Sequence, residues 1–117
     1  MTTVTQRMVE RIPLEVFNNN KFELIDELLS TDYVEHTAPP SVAPTREGFK
    51  ATAMAMKTAF PDLRYTIEDV IESGDKIVQR VTVSGTMKAD FMGMRATNKH
   101  ATWNEIHIGR VVNGRLA

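Results

Sequence analysis

The sequence predicts an α+β fold in which three helices pack on a strongly curved antiparallel sheet, forming a cone-shaped barrel. In the first half of the chain, apolar residues recur every three or four positions, the period of a helix with one buried stripe. From Leu63 onward the period changes to two, as in a strand with one buried face. Helices laid across one face of such a sheet enclose a space that can hold a ligand.

Composition restricts the class of protein. The chain has 117 residues, enough for one domain, and no cysteine, which removes disulfides, thiol nucleophiles and cysteine zinc sites. Its 14 Lys and Arg against 15 Asp and Glu leave a formal charge of -1, too even for sequence-independent nucleic-acid binding. No apolar run approaches the roughly 20 residues of a membrane span, and the first residues lack a signal-peptide stretch. We therefore expect a cytoplasmic protein that binds neither nucleic acid nor membrane.

Two helices are predicted before residue 31. The apolar stripe of the first consists of Met8, Val9, Ile12, Val16 and Phe17. Pro13 interrupts this stripe, so we expect a kink near it or a later helix start. Asparagines at 18–20 stop the first helix, and Asn20 with Glu23 forms a capping pair for a second helix from about Lys21 to Ser30.

A third helix follows a proline-rich loop. Thr31 to His36 is predicted to be a short extended piece, and the loop after it contains three prolines. Thr45 can cap the third helix, and Pro61 ends it. The apolar face of this helix comprises Phe49, Ala53, Met56 and Phe60.

The second half of the chain is predicted to be β-structure. Gly74 and Asp75 turn a first strand that begins near Leu63 into a second one, Lys76 to Lys88, so the two form a hairpin. The remaining elements are a loop with an apolar tip from Asp90 to Asn98, a long strand from Lys99 to Val112, and a turn at Asn113 and Gly114 followed by about three residues.

One strand carries candidate chemistry. Side chains alternate along a strand, so Trp103, Glu105 and His107 face the same side. If that side is concave, a cavity receives an aromatic wall, a carboxylate and an imidazole, a set that can move protons on an apolar substrate. The alternative is that Trp103 packs in the core while Glu105 and His107 form a solvated or cross-strand polar pair. No phosphate loop or metal-binding motif is present in the sequence.

Other residues are candidates for contacts with a ligand. His36 precedes the proline-rich loop and belongs either at a cavity mouth or to backbone hydrogen bonding within the loop. Methionines suit irregular apolar ligands, although filling gaps in the core is their commoner use. The predicted ligand-contacting set is Tyr33, His36, Met56, Phe60, Phe91, Met94 and Trp103.

Short segments along nearly the whole chain match a known family in order and spacing. They are Asp32 to His36, Arg46 to Phe49, Ala59 to Leu63, Ile67 to Ile71, Gly74 to Lys76, Gly85 to Thr86, Ile106 to Arg110 and Asn113 to Arg115. In these segments the chain resembles the SnoaL-like polyketide cyclases, which have the nuclear-transport-factor-like cone fold. Ketosteroid isomerases, limonene-epoxide hydrolases and scytalone dehydratase share that fold.

The resemblance implies an activity and its site. Characterised members of the family close a ring in an aromatic polyketide ester by intramolecular aldol condensation, with acid and base residues and without cofactor or metal. His107 matches a family position where a pocket histidine assists this chemistry, and Glu105 is expected beside it. The resemblance also implies a homodimer that meets through the outer face of the sheet, and a hydrophobic small molecule as substrate.

The family's principal acid–base aspartate lies a few residues beyond the turn at Asn113 and Gly114. The sequence ends before that position, so we expect residues 1–117 to form one domain that lacks the family's last strand and C-terminal segment. Either further residues follow, which we favour because a missing strand exposes a sheet edge, or catalysis depends on His107 and Glu105. Two other functions stay open: a non-catalytic binding or dimerisation module, and an epoxide hydrolase-like enzyme.

Overall fold

In the computed structural model, which describes residues 3–117, the first helical segment changes its winding beside Pro13. An α-helix, α1 (Val4–Arg11), continues directly into a π-helical stretch, Ile12–Phe17. Proline has no N–H to donate, and its ring crowds the preceding turn. The wider winding accommodates it, with the amide of Asn18 donating to the carbonyl of Pro13 at 3.1 Å. The predicted later start of the first helix is wrong, since the helix begins at Val4, and the effect of Pro13 is a change of helix type.

The second helix is much shorter than the predicted span from Lys21 to Ser30. It consists of a 3-10 turn, Phe22–Leu24, and a single α-helical turn, α2 (Ile25–Leu28). Asn20 has a φ of 60°, so it lies in the left-handed region and cannot adopt the extended conformation of a helix N-cap. The prediction of Asn20 as a cap is wrong, whereas its role in ending the preceding segment is confirmed.

The loop of residues 31–44 contains no strand, so the prediction of an extended piece from Thr31 to His36 is wrong. Its backbone bonds within the loop instead, for example from the amide of Glu35 to the carbonyl of Pro44 at 3.0 Å. At Gly48 a Cβ atom would overlap the carbonyl oxygen of Ala43. Glycine therefore lets the end of this loop lie directly against the third helix.

The third helix, α3 (Arg46–Ala59), confirms the sequence prediction. The side chain of Thr45 accepts a hydrogen bond from the amide of Gly48 at 3.2 Å, as an N-cap should. Phe60 closes the helix immediately before Pro61, which cannot continue it.

The sheet has four antiparallel strands in sequence order. They are β1 (Arg64–Ser73), β2 (Lys76–Thr86), β3 (His100–Val112) and β4 (Arg115–Leu116). The predicted hairpin, long strand and final turn are thus confirmed. The amide of Ser30 also donates to the carbonyl of Leu116 at 2.8 Å, which ties the end of the second helix to β4.

Helices cover one face of the sheet, which we call the inner face, and leave the other, the outer face, uncovered by the rest of the described chain. On β2 the inner residues are buried and alternate with more accessible ones. The largest fully buried side chains of the described residues are Val16, Ile25, Leu29, Ile77, Val81 and Val83. Among residues 3–117 there is no helix whose length and apolarity would suffice to span a membrane.

Candidate functional site

A cavity of about 760 Å³ lies between the inner face of the sheet, the first helical segment and the loop of residues 31–44. This volume is in the range of small-molecule sites. Its apolar walls include Ile12, Pro13, Phe17, Phe49 and Ile77. Its polar lining includes Tyr33, Glu35, His36, Gln79, Glu105 and His107. The cavity therefore combines apolar walls with several polar groups, and the charged residues Asp32, Lys76 and Arg110 also line it.

Three side chains of β3 form a hydrogen-bonded row along the inner face. The indole nitrogen of Trp103 donates to Oε2 of Glu105 at 2.7 Å. The other carboxylate oxygen, Oε1, lies 2.7 Å from Nε2 of His107. Both oxygens of Glu105 are thus engaged by groups two residues before and two residues after it. The strand alternation holds the three side chains on one face, and the carboxylate links them.

The charge state of Glu105 determines the tautomer of His107. Burial raises the pKa of Glu105, but the hydrogen bonds from His107 and Trp103 outweigh burial and hold the pKa below its ordinary value. An ionised carboxylate can only accept hydrogen bonds, so Nε2 of His107 carries the proton of that bond. In the neutral ring, Nδ1 then keeps its lone pair, and it has no hydrogen-bond partner within residues 3–117. His107 is therefore arranged to accept a proton at Nδ1.

The loop contributes a second carboxylate, Glu35, to the lining of the cavity. Oε2 of Glu35 accepts a hydrogen bond from the hydroxyl of Tyr33 at 2.6 Å, and Oε1 accepts one from the hydroxyl of Thr37 at 2.7 Å. Burial raises the pKa of Glu35, whereas these bonds and the nearby His107 lower it, and the net direction is downward. Burial and the bond to Glu35 raise the pKa of Tyr33 above its ordinary range, so Tyr33 stays a donor. The cavity therefore contains two ionised carboxylates, of which Glu105 bonds His107 directly and Glu35 is close enough for the charge of His107 to lower its pKa.

Strand β1 contributes Tyr65, whose side chain is buried and lines the cavity. Burial and the charge of Glu105 raise the pKa of Tyr65 above its ordinary range, so its hydroxyl stays protonated. That hydroxyl lies 3.7 Å from Sδ of Met56, and its ring packs on Phe17 with centroids 4.8 Å apart. Tyr65 thus fixes an aromatic wall beside the carboxylate of Glu105.

The structure divides the residues singled out from sequence into two groups. Tyr33, His36, Glu105 and His107 line the same cavity, with His36 exposed on the loop. The others lie outside its lining: Trp103, Met56, Phe60, Phe91 and Met94. Trp103 and Met56 still connect to it, through Glu105 and Tyr65 respectively. Phe60 and Phe91 pack beyond Trp103, and Met94 is 58% exposed next to them, so these three belong to the neighbouring end of the sheet.

Sequence reasoning did not single out three polar residues of the cavity. Glu35 lies in an irregular loop, where no periodicity shows which side chains point inward. Tyr65 and Gln79 lie in strands whose alternation places them on the buried face with Leu63 and Ile77. A glutamine in the apolar series of β2 is the signal that could have identified Gln79. Within the same described range, no three His, Asp or Glu side chains are grouped to hold a metal ion.

The two carboxylates predict how stability depends on pH. Both have a folded pKa below the ordinary glutamate value of about 4.3, so each stabilises the fold above that pH, and the contribution is lost as the pH falls through the folded pKa. We expect the urea midpoint to decrease as the pH is lowered from about 5 to about 3, the range around that reference pKa. The double variant Glu35→Gln, Glu105→Gln should lose less over this interval, although Asp32 and Asp62, whose pKa values are also lowered, keep some dependence.

A matched control for this titration is the double variant Glu23→Gln, Glu47→Gln, which changes two exposed glutamates outside the cavity. It should follow the wild-type curve. If both double variants lose the same stability as the wild type over this pH interval, the two cavity carboxylates do not have lowered folded pKa values.

Comparison with known proteins adds independent findings. The family model of the SnoaL-like polyketide cyclases matches residues 7–117. The aklanonic acid methyl ester cyclase DnrD of Streptomyces peucetius is 25% identical over 115 residues, which are 96% of this chain and 79% of that cyclase. The structure of TsrD from Streptomyces laurentii superimposes with a TM-score of 0.87 at 25% identity, covering 97% of this chain and 83% of TsrD. Wild-type IdmH from Streptomyces antibioticus, at 24% identity, has the same fold, with a TM-score of 0.77 over 96% of this chain and 86% of IdmH.

Proposed function

Because this chain belongs to the SnoaL-like polyketide cyclase family, we propose that it is an acid–base enzyme that closes a ring in a hydrophobic carbonyl compound. The observation that carries the proposal is the pair formed by Glu105 and His107 in the wall of an otherwise largely apolar cavity. An imidazole with a free nitrogen, oriented by an ionised carboxylate, is a suitable general base near neutral pH.

The proposed reaction begins at Nδ1 of His107. This atom takes a proton from the carbon beside a carbonyl group, and the electron pair of the broken C–H bond moves into the carbonyl to form an enolate. The enolate carbon attacks a second carbonyl carbon of the same molecule, which makes the new C–C bond and places the displaced electron pair on oxygen. The imidazolium returns its proton to that oxygen as a hydroxyl group. No atom is gained or lost, so the product is an isomer of the substrate.

The related cyclase DnrD and the aromatic wall of the cavity support the proposed substrate class. DnrD is a cyclase of a methyl ester, and an ester carbonyl acidifies the neighbouring C–H bonds in the way that the first step needs. Aromatic side chains at Phe17, Phe49 and Tyr65 pack edge to face or tilted along one wall. Such a wall suits a flat ring system held by apolar contact, with its two carbonyl groups in attack geometry.

Proton removal can be measured without knowing the natural substrate. We propose 2-tetralone as a probe, because it is an aromatic ketone with exchangeable hydrogens beside its carbonyl group. In deuterium oxide, proton NMR should show faster loss of these hydrogens with the wild-type protein than in buffer or with heat-denatured protein. Binding of the ketone without faster exchange would contradict the acid–base proposal in favour of a binding module. Conversion of an aryl epoxide to a diol, without ketone exchange, would favour the hydrolase alternative.

The partner that we propose for the outer face of the sheet is a second copy of this chain. Ile71, Ile106 and Ile108 are 62%, 65% and 72% exposed on this face. Val78 lies between Ile71 and Ile108 in the strand register, so the apolar side chains are contiguous. Large contiguous apolar surfaces usually mark an interface, and two copies can cover this one symmetrically.

Sedimentation equilibrium tests the proposed dimer. The wild-type protein should sediment as a dimer, and Ile108→Glu should shift it to a monomer, because association would then bury an unpaired charge in an apolar surface. Val4→Glu, which adds the same charge at a residue 86% exposed on α1, should leave the dimer intact. A wild-type monomer, or equal masses for the wild type and Ile108→Glu, would contradict this interface.

A further inference from the structure

The amide of Gln79 is a buried polar group of the cavity that the proposed reaction does not use. Gln79 lies on β2 between the buried residues Ile77 and Val81 and is only 3% exposed. Its amide nitrogen has no hydrogen-bond partner among residues 3–117, although the residue lines the cavity. A buried amide donor without a partner destabilises the fold, and an apolar residue of similar size would avoid that loss of stability. The nitrogen is itself buried, so a ligand in the cavity can satisfy this donor only after the side-chain amide has turned.

The strand register places this amide beside the proposed base. Gln79 of β2 is paired directly with His107 of β3, and both side chains belong to the inner face. Directly paired residues on one face have Cβ atoms about 5 Å apart, so their side chains can reach neighbouring atoms of one small molecule. In a ketone or ester, the hydrogen that His107 removes and the carbonyl oxygen that becomes an enolate belong to adjacent carbon atoms. A base and a donor at this spacing match that pair of atoms.

We propose that the side-chain amide of Gln79 donates a hydrogen bond to the substrate's carbonyl oxygen and holds this oxygen as it becomes an enolate. The assignment rests on the proposed function, and it gives the cavity a donor for an oxyanion in addition to its base. The amide can turn about its last torsion angle, so its nitrogen can face the cavity when a carbonyl group arrives. The bond should strengthen as negative charge develops, which stabilises the transition state more than the bound ketone.

The variant that tests this role is Gln79→Met, which keeps the length of the side chain and removes the donor. Wild-type Gln79 has an unpartnered amide nitrogen, so the variant should unfold at the same or a higher urea concentration than the wild type. The maximal exchange rate of 2-tetralone should fall by about 100-fold, as for loss of one oxyanion donor. Tetralin is the same ring system without the oxygen. The preference of the variant for binding 2-tetralone over tetralin should be only about 2- to 10-fold weaker than that of the wild type. Gln6→Met, which removes an amide from α1, should change neither value.

The two measurements separate this inference from the proposed function. If Gln79→Met exchanges and binds 2-tetralone as the wild type does, the role of Gln79 is wrong while the acid–base function stands. If the wild type does not accelerate exchange but Gln79→Met loses the preference for 2-tetralone over tetralin, the catalytic proposal fails and carbonyl binding by Gln79 is supported. Equal affinities of the wild type for 2-tetralone and tetralin would overturn the inference about Gln79.

Discussion

Replacement of His107 with alanine is expected to slow proton exchange of the bound ketone by about 100-fold or more, the usual contribution of a general base. The variant lacks the atom that receives the proton, whereas Glu105 and the apolar walls of the cavity stay in place. The His107 side chain is 49% exposed, so its removal should leave the protein folded with a cooperative thermal transition. Exchange rates at saturating 2-tetralone, together with circular dichroism of the same samples, measure both effects.

His100→Ala is the matched control for this experiment. His100 also lies on β3 and bonds Oγ1 of Thr86 through Nδ1, but it does not line the cavity. The control should exchange the ketone at the wild-type rate. An unchanged rate in His107→Ala, or an equal loss in both variants, would show that His107 is not the base.

The substitution Glu105→Gln should reduce the exchange rate by roughly 100- to 10,000-fold, although it changes the shape of the side chain very little. The indole N–H of Trp103 can only donate, so the new amide must present its oxygen to Trp103. Its NH₂ group then faces Nε2 of His107, which has to accept rather than donate. The ring is thereby forced into the other tautomer, with the proton on Nδ1, and the nitrogen that should act as base is blocked.

This prediction distinguishes a positioning role of Glu105 from a merely structural one. Glu105→Asp retains a carboxylate and should recover part of the activity, whereas a purely structural role would make it as inactive as Glu105→Gln or as active as the wild type. Glu23 is an exposed glutamate of the 3-10 turn, and Glu23→Gln, which makes the same change outside the cavity, should leave the exchange rate unchanged. Wild-type exchange rates in Glu105→Gln would contradict the role of the carboxylate in setting the tautomer.

Elements with strong local signals could be predicted from the sequence. The third helix carries its cap at Thr45 and its stop at Pro61, and the hairpin carries its turn at Gly74, so short stretches of chain determine both. The second helix is different, because Asn20 takes a left-handed conformation that the capping pattern does not reveal. The loop of residues 31–44 depends on contacts with residues farther along the chain, such as that between the rings of Tyr33 and Phe49, which no local pattern encodes.

The same distinction applies to the cavity. Strand alternation is a local rule, and it was enough to group Trp103, Glu105 and His107 on one face. Placing Glu35 in the same cavity as His107 requires the path of an irregular loop. The significance of Gln79 depends on its lacking a partner, a property of the packed structure that the sequence does not contain.

The tautomer of His107 is the most direct test of the mechanism, because the assignment of base and orienting carboxylate depends on it. Long-range proton–nitrogen correlation NMR of the protein with ¹⁵N-labelled histidine distinguishes a protonated from an unprotonated ring nitrogen. In the neutral ring of the wild type, we predict a protonated Nε2 and an unprotonated Nδ1, and the reverse in Glu105→Gln. A proton on Nδ1 in the neutral ring of the wild type would contradict the account.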